Sequence, residues 1–398
     1  MSASAASVSL PGGPGEPRFT ALPPLALYVH VPWCLRKCPY CDFNSHELRG
    51  ELQEREYVET LLADLEQSLP LVWGRPVYSV FVGGGTPSLL TPEALDMLLS
   101  GVRARLPLAI DAEITLEANP GTFEAGRFRG FRAAGVSRLS IGVQSFNPRH
   151  LAALGRVHDA AQARAAIACA REVFENYNLD LMYGLPGQTL DEARADIEAG
   201  LEWRPPHLSV YHLTLEPNTW FHRYPPQLPD DDAAAAMQDR IEEALAASGY
   251  DHYETSAYAQ PGRRSRHNLN YWTFGDYLGI GAGAHSKISF PQRIVRAMRY
   301  RQPREYQERA RAGDAVHEQH EVKRADLGFE FMMNTLRLTA GVPVNLYAER
   351  TGRPITDIAR ELAQAERRGL LERDHARLAP TALGRRFLNE LLQIFLPG

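Results

Sequence analysis

Lysine is nearly missing from this 398-residue chain, which has only Lys37, Lys287 and Lys323. Arginine therefore carries almost all the positive charge, a bias that a GC-rich genome explains and that signals no phosphate-binding role by itself. A surplus of positive charge is missing too. With 43 basic against 48 acidic residues the formal net charge is -5, which argues against a strongly basic nucleic-acid binder. There is no apolar run of about 18 residues or more, so no membrane-spanning helix is expected. No basic residue precedes Arg18 and no apolar core of signal type is present, so no secretory leader is read. Cysteine is scarce as well: four residues cannot staple a chain this long into a disulfide scaffold. A cytoplasmic protein is the expectation, and there clustered thiols read as metal ligands.

What is present describes an ordinary folded chain, 44% hydrophobic and 23% charged, long enough for two or three packing units. Residues 1–19, rich in Ser, Ala, Pro and Gly, read as a flexible tail. From Leu25 onward, short β-branched or aromatic runs at 25–31, 77–83, 112–117, 136–143, 178–184 and 207–214 alternate with segments of helical period. Thr91 before Pro92 reads as an N-cap with proline in the first turn. Helices are expected over 159–174, 189–203 and 231–248. Six strand–helix units in series predict an α/β fold with a parallel sheet, and the pattern alone leaves open whether it curls into a partial barrel. Residues 250–274 read as irregular and aromatic-rich. The last eighty residues read as a mainly helical module ending in one amphipathic helix with Leu383, Phe387, Leu388, Leu391 and Leu392. Between Arg324 and Gly398 there are 11 basic and 9 acidic residues, no basis for DNA binding, so packing against the main domain is expected.

The residues with chemistry to offer follow the strands directly. Strand one leads to His30 and then Cys34, Cys38 and Cys41; strand two leads to Gly83-Gly84-Gly85-Thr86-Pro87. Strand three ends in Glu117-Ala-Asn-Pro, strand four in Gln144-Ser-Phe, and strand five carries Asp180 into Gly184-Leu-Pro-Gly187. Parallel α/β folds bind ligands at the C-terminal strand edge, so these residues are expected to meet in one pocket. Thiolates spaced C-x3-C-x2-C suit an iron–sulfur cluster with one iron left open. The rivals are structural zinc with His46 as fourth ligand, and three unliganded thiols. Gly279-x-Gly281-x-x-Ala284 formally fits a dinucleotide fingerprint, but strand-like residues follow and no acidic residue sits near position 299; a close packing turn is read instead.

The stretch Tyr28-Val-His-Val-Pro-Trp-Cys34-Leu-Arg-Lys-Cys38-Pro-Tyr-Cys41 resembles the signature of the radical S-adenosylmethionine superfamily. The likeness runs over nearly the whole chain from about Leu22. The glycine triplet, Gly142-Val-Gln-Ser-Phe146, Asp180-Leu-Met-Tyr-Gly-Leu-Pro186 and Gly279-Ile-Gly-Ala-Gly-Ala-His285 match its oxygen-independent coproporphyrinogen oxidase-like group, HemN and HemW. The resemblance implies a partial (β/α)6 TIM-like barrel with a C-terminal, mainly helical, winged-helix-like domain. It divides the chain into a core at 20–254, a connecting region at 255–320 and a C-terminal domain at 321–398. It implies that Cys34, Cys38 and Cys41 hold a 4Fe-4S cluster, whose open iron takes the amino and carboxylate groups of S-adenosylmethionine. Tyr28, Tyr40, Gly84, Gly85, Thr86, Glu117, Gln144, Arg156 and Asp180 would then surround that cofactor, Arg156 forking onto a carboxylate. A salt bridge within the sheet end is the plainer role for Glu117 and Asp180.

Two departures bear on which branch of the group is meant. The oxidases have a fourth cysteine one residue after the third, and Phe43 stands there. They also have a longer segment ahead of the first strand, where this sequence has 27 residues before Tyr28. His267-Asn-Leu-Asn-Tyr271-Trp272 resembles the HNxxYW motif of HemW-type heme chaperones. That likeness implies heme binding through His267, Tyr271 and Trp272, with Arg263, Arg264 and Arg266 meeting the propionates. The expected partners are heme and a heme-acceptor protein, respiratory and membrane-associated, with no nucleic acid and with room for a homodimer. The competing reading is an oxidase that decarboxylates coproporphyrinogen III. Cys169, expected on a helix, has no assigned role.

Overall fold

A computed structural model describes residues 17–121 and 126–397. The expected tail therefore lies almost wholly outside the described residues, and its last part is tied down: Pro17 is buried and Arg18 N donates to Gly352 O at 2.9 Å.

The six expected strand runs become β1 (Leu25–Val31), β2 (Val77–Gly84), β3 (Leu108–Ala118), β4 (Arg138–Gln144), β5 (Tyr177–Tyr183) and β6 (His207–His212). They pair in sequence order, all parallel. Helices α1 (Glu54–Val72), α2 (Pro92–Arg105), α3 (Phe128–Ala134), α4 (Ala160–Val173) and α5 (Leu190–Leu201) cross between them. Thr91 caps α2 as read, its hydroxyl accepting from Ala94 N. Asp159 and Thr189 close reciprocal capping boxes on α4 and α5. The core lies between strands and helices, where Leu27, Val80, Leu116 and Ile141 meet Leu61, Leu98 and Ile167, all fully buried.

Residues 250–274 are more regular than expected. They form β7 (Asp251–Glu254), β8 (Ala257–Ala259) and α6 (Arg266–Trp272). The aromatic residues hid strand alternation because both faces of β8 are covered. Beyond α6, β9 (Asp276–Ile280), β10 (His285–Phe290), β11 (Arg293–Arg299) and β12 (Val316–Glu321) extend the sheet past β1. The full order is β12-β11-β10-β9-β1-β2-β3-β4-β5-β6-β8-β7, so among the described residues the sheet does not close on itself and the barrel is partial. Gly279–Ala284 is the packing turn expected: a Cβ on Gly281, whose φ is 105°, would lie 2.3 Å from His30 O.

The C-terminal part packs its own core from Phe331, Tyr347, Leu362 and Leu391 around a small three-stranded sheet. The single closing helix expected there is two short ones, Ala382–Arg386 and Leu388–Gln393. They break at Phe387, whose φ/ψ of −113°/46° is not helical, and Leu383 and Phe387 are half exposed instead of buried.

Candidate functional site

Five strand ends and the cysteine loop surround one cavity of about 350 Å³. Parallel register does this: His30 and Val31 lie beside Gly83 and Gly84, Glu117 beside Ser140, and Asp180 beside Ser209. Alternate side chains on each strand then face the barrel interior. The cavity wall includes Cys34, Cys38, Cys41, Tyr40, Gly84, Gly85, Thr86, Glu117, Gln144, Arg156 and Asp180.

The three cysteines are partly buried on a loop held at several points. Cys41 N donates to Cys38 O at 3.2 Å, and Lys37 Nζ donates to Ser45 O at 3.1 Å. His30 Nε2 donates to Asn44 O at 2.9 Å, which leaves Nδ1 to accept from Tyr28 OH at 2.9 Å. Burial pushes the thiol pKa of Cys34 and Cys41 up. Among the described residues no three His, Cys, Asp or Glu side chains converge tightly enough for one metal ion. A single zinc, with bonds of about 2.3 Å, would draw its thiolates to roughly 4 Å from one another. His46 is not on the cavity wall, and its Nε2 lies 3.3 Å from Asn44 Oδ1. Three thiols lining one cavity wall fit an inorganic cluster in which each sulfur meets its own iron.

The glycines serve the chain's own packing as well as the cavity. A Cβ on Gly84 would lie 2.6 Å from the His30 ring, and one on Gly85 would lie 2.6 Å from Trp33 O. Thr86 is buried, its hydroxyl accepting from Asn119 Nδ2 at 3.0 Å. Glu117 Oε2 accepts from Gly84 N at 3.0 Å. Neither Glu117 nor Asp180 forms a salt bridge among the described residues. Burial, and then the neighbouring Asp180, push the Glu117 pKa up to about 8. Burial also raises Asp180, against hydrogen bonds from Asn178 at 2.8 Å and Ser140 at 3.2 Å. Two buried carboxyl groups facing one cavity suit a ligand that brings donors or positive charge. Gln144, at a φ of 67°, accepts from Tyr211 OH at 2.7 Å. Arg156 donates to Asn119 Oδ1 at 2.7 Å, Gly142 O at 2.9 Å and Cys38 Sγ at 3.5 Å, so most of its fork is already engaged by protein.

Tyr28 does not line the cavity; it lies stacked on Phe81, with its hydroxyl on His30. The structure packs the expected heme set against other parts of the protein. His267 sits on α6 and is 1% exposed, stacked on Phe81 at 4.9 Å with Nδ1 3.0 Å from Ser79 Oγ. Burial pushes its pKa down to about 3. Tyr271 packs edge-on to Tyr277, and Trp272 lies under the Arg337 guanidinium at 4.4 Å. Arg264 is paired with Asp251, and Arg266 with Asp111 at 2.8 Å. The motif therefore joins the barrel floor to the C-terminal core, and its exposed arginines face carboxylates. The sequence reading missed Tyr211 and Ser140 as cavity residues. Their signal was alternation: Ser140, Gly142 and Gln144 share one face of β4, and Ser209 and Tyr211 share one face of β6.

A partial barrel whose strand ends gather three loop cysteines beside a glycine-rich turn defines a protein of the radical S-adenosylmethionine class, and residues 28–199 match the Radical SAM superfamily. Residues 322–387 match the HemN C-terminal domain. The chain is similar along its length to three heme chaperones HemW. The Escherichia coli protein is 50% identical over 94% of this chain and 99% of its own. The Haemophilus influenzae protein is 44% identical over 94% and 98%, and the Bacillus subtilis protein 34% identical over 93% and 98%. Among solved structures, the coproporphyrinogen III oxidase HemN from Escherichia coli, a radical SAM enzyme, superposes with a TM-score of 0.80 at 25% identity, covering 94% of this chain and 90% of that one. The chain belongs to the HemW family of the radical SAM superfamily.

Proposed function

We propose that this protein is a heme chaperone that binds heme, a 4Fe-4S cluster and S-adenosylmethionine, and hands heme to an acceptor protein. The end-to-end likeness to heme chaperones, at 50% identity, carries this reading. Cys34, Cys38 and Cys41 hold the cluster, and the missing fourth ligand leaves one iron for the cofactor. Bound together, cluster and cofactor supply one-electron chemistry at that open iron. Gly84, Gly85 and Thr86 let the cofactor approach the backbone, Glu117, Gln144 and Asp180 accept from its donors, and Tyr40 closes one side. Arg156 acts on Cys38 more directly than on any ligand carboxylate. Heme ligation by His267, with Tyr271 and Trp272, requires α6 to leave the barrel floor. Residues 20–254 form the cofactor core, 255–320 the connection and 321–398 the C-terminal domain. The acceptor is a respiratory protein at the membrane, and the chaperone works in the cytoplasm, with room for a homodimer. No helix among the described residues is long and apolar enough to cross a membrane.

Anaerobic reconstitution followed by heme titration and mixing with a heme-free acceptor tests the reading. Brown cluster-loaded protein that binds heme and transfers it is the expected result. Reduced, loaded protein that instead converts coproporphyrinogen III to protoporphyrinogen in the presence of S-adenosylmethionine overturns it in favour of an oxidase.

A further inference from the structure

The cysteine loop carries two large apolar side chains out into water. Phe43 is 59% exposed and Leu35 is 50% exposed, although the backbone that bears Phe43 is firmly held. Phe43 O accepts from Ser45 N at 2.6 Å and from Lys37 Nζ at 3.4 Å. The next side chain, Asn44, donates to Ala282 O at 2.9 Å and to Arg301 O at 2.8 Å. An aromatic side chain left mostly in solvent on a backbone held this firmly gains little for folding. It is preorganised to be covered by something else, at little further cost in entropy. Phe43 and Arg36 both line the cofactor cavity and both are exposed, which places them at its mouth; Leu35 precedes Arg36 on the same loop and does not line the cavity. Arg36 is exposed and has no carboxylate partner among the described residues, unlike Arg264 and Arg266.

We propose that Arg36 and Phe43 form the docking seat for the tetrapyrrole, at the mouth of the cofactor cavity. The Phe43 ring takes the macrocycle face, and Arg36 takes a propionate. This proposal rests on the heme reading and adds a location that the buried His267 does not provide. The seat grips face and carboxylate rather than iron, so it takes metal-free protoporphyrin as well as heme. It also gives Phe43 a role where the oxidases have a cysteine. The bound macrocycle covers the cavity, so bound tetrapyrrole slows the release of the cofactor beneath it.

The test uses full-length, cluster-reconstituted protein, with iron and sulfide measured per chain so that affinities are compared at equal loading. Heme and protoporphyrin IX are titrated against the wild type, Phe43→Ser, Phe43→Trp and Arg36→Gln. Phe43→Ser should weaken both ligands about tenfold, while Phe43→Trp retains them. Arg36→Gln should weaken protoporphyrin but leave its dimethyl ester unaffected. Wild-type binding with unchanged affinity in Phe43→Ser and Arg36→Gln overturns the seat and leaves the heme reading standing. A wild type that binds no heme removes both. Loss of acceptor contact in Phe43→Ser with unchanged porphyrin affinity makes the patch a protein interface and also overturns the proposal. A second measurement needs no variant: protoporphyrin should slow release of S-adenosylmethionine from the wild type, and an unchanged release rate counts against the seat.

Discussion

Arg156 Nη1 donates to Cys38 Sγ at 3.5 Å, while Nη2 is held by Asn119 Oδ1 and Gly142 O. A guanidinium so fixed places positive charge beside one sulfur of the cluster site. Hydrogen bonds and positive charge at cluster sulfurs favour the reduced form, which is more negative. Arg156→Gln should therefore lower the cluster reduction potential by on the order of 50 mV. A potentiometric titration followed by electron paramagnetic resonance measures it, and an unchanged potential removes Arg156 from that role.

Glu117 gives a pH signature of stability. Its folded pKa, about 8, lies above the ordinary carboxylate value of 4.5, chiefly through burial. The folded state therefore favours the protonated acid. Stability is fully present below pH 4.5 and is lost as pH rises toward 8. Glu117→Gln keeps the acceptor for Gly84 N and removes the ionisation. In cofactor-free protein it should raise stability by on the order of 2 kcal/mol at pH 8 and much less at pH 5. Thermal melts across that range check the sign.

His267 has the opposite dependence. Burial, and then the positive charge of Arg138, lower its pKa from 6.5 to about 3, so the fold requires the neutral ring. Stability from this residue is present above pH 6.5 and is lost as pH falls toward 3. His267→Gln should move the acid-unfolding midpoint to lower pH, read by circular dichroism.

Asp64 and Arg299, each 1% exposed, lock β11 onto α1. Asp64 also accepts from Tyr306 OH at 2.9 Å, and Arg299 donates to Ser68 Oγ at 2.8 Å. Arg299→Met leaves Asp64 without its cation in the interior. A loss of about 3–5 kcal/mol in a denaturant titration is expected.

Much of the site was legible because it follows strand ends. Polar residues placed just after β-branched runs, in consecutive units, can meet only at one edge of a parallel sheet. Cys34, Gly84, Glu117, Gln144 and Asp180 were found that way, and all line the cavity. Tyr211 was missed because a tyrosine on an alternating strand faces interior or exterior according to register, which local sequence does not state. The expected closing helix failed at Phe387, where apolar spacing continued although the backbone turned.

By itself the sequence determined the order of the six parallel strands, the three thiols on one loop and the missing fourth. Those properties rest on local spacing, capping and residue chemistry. Only the tertiary structure decided that the His267 ring is buried and that Arg36 has no carboxylate partner among the described residues. His267 lies in a motif whose residues suit heme, yet packing of α6 against β2 buries its ring behind Ser79 and Phe81. Phe43 marked only an absent cysteine in the sequence, and in the fold it is an exposed side chain at the cavity wall, on a backbone held by the loop's hydrogen bonds. Exposure is set by contacts between residues far apart in the chain, and spacing within one segment carries no record of them.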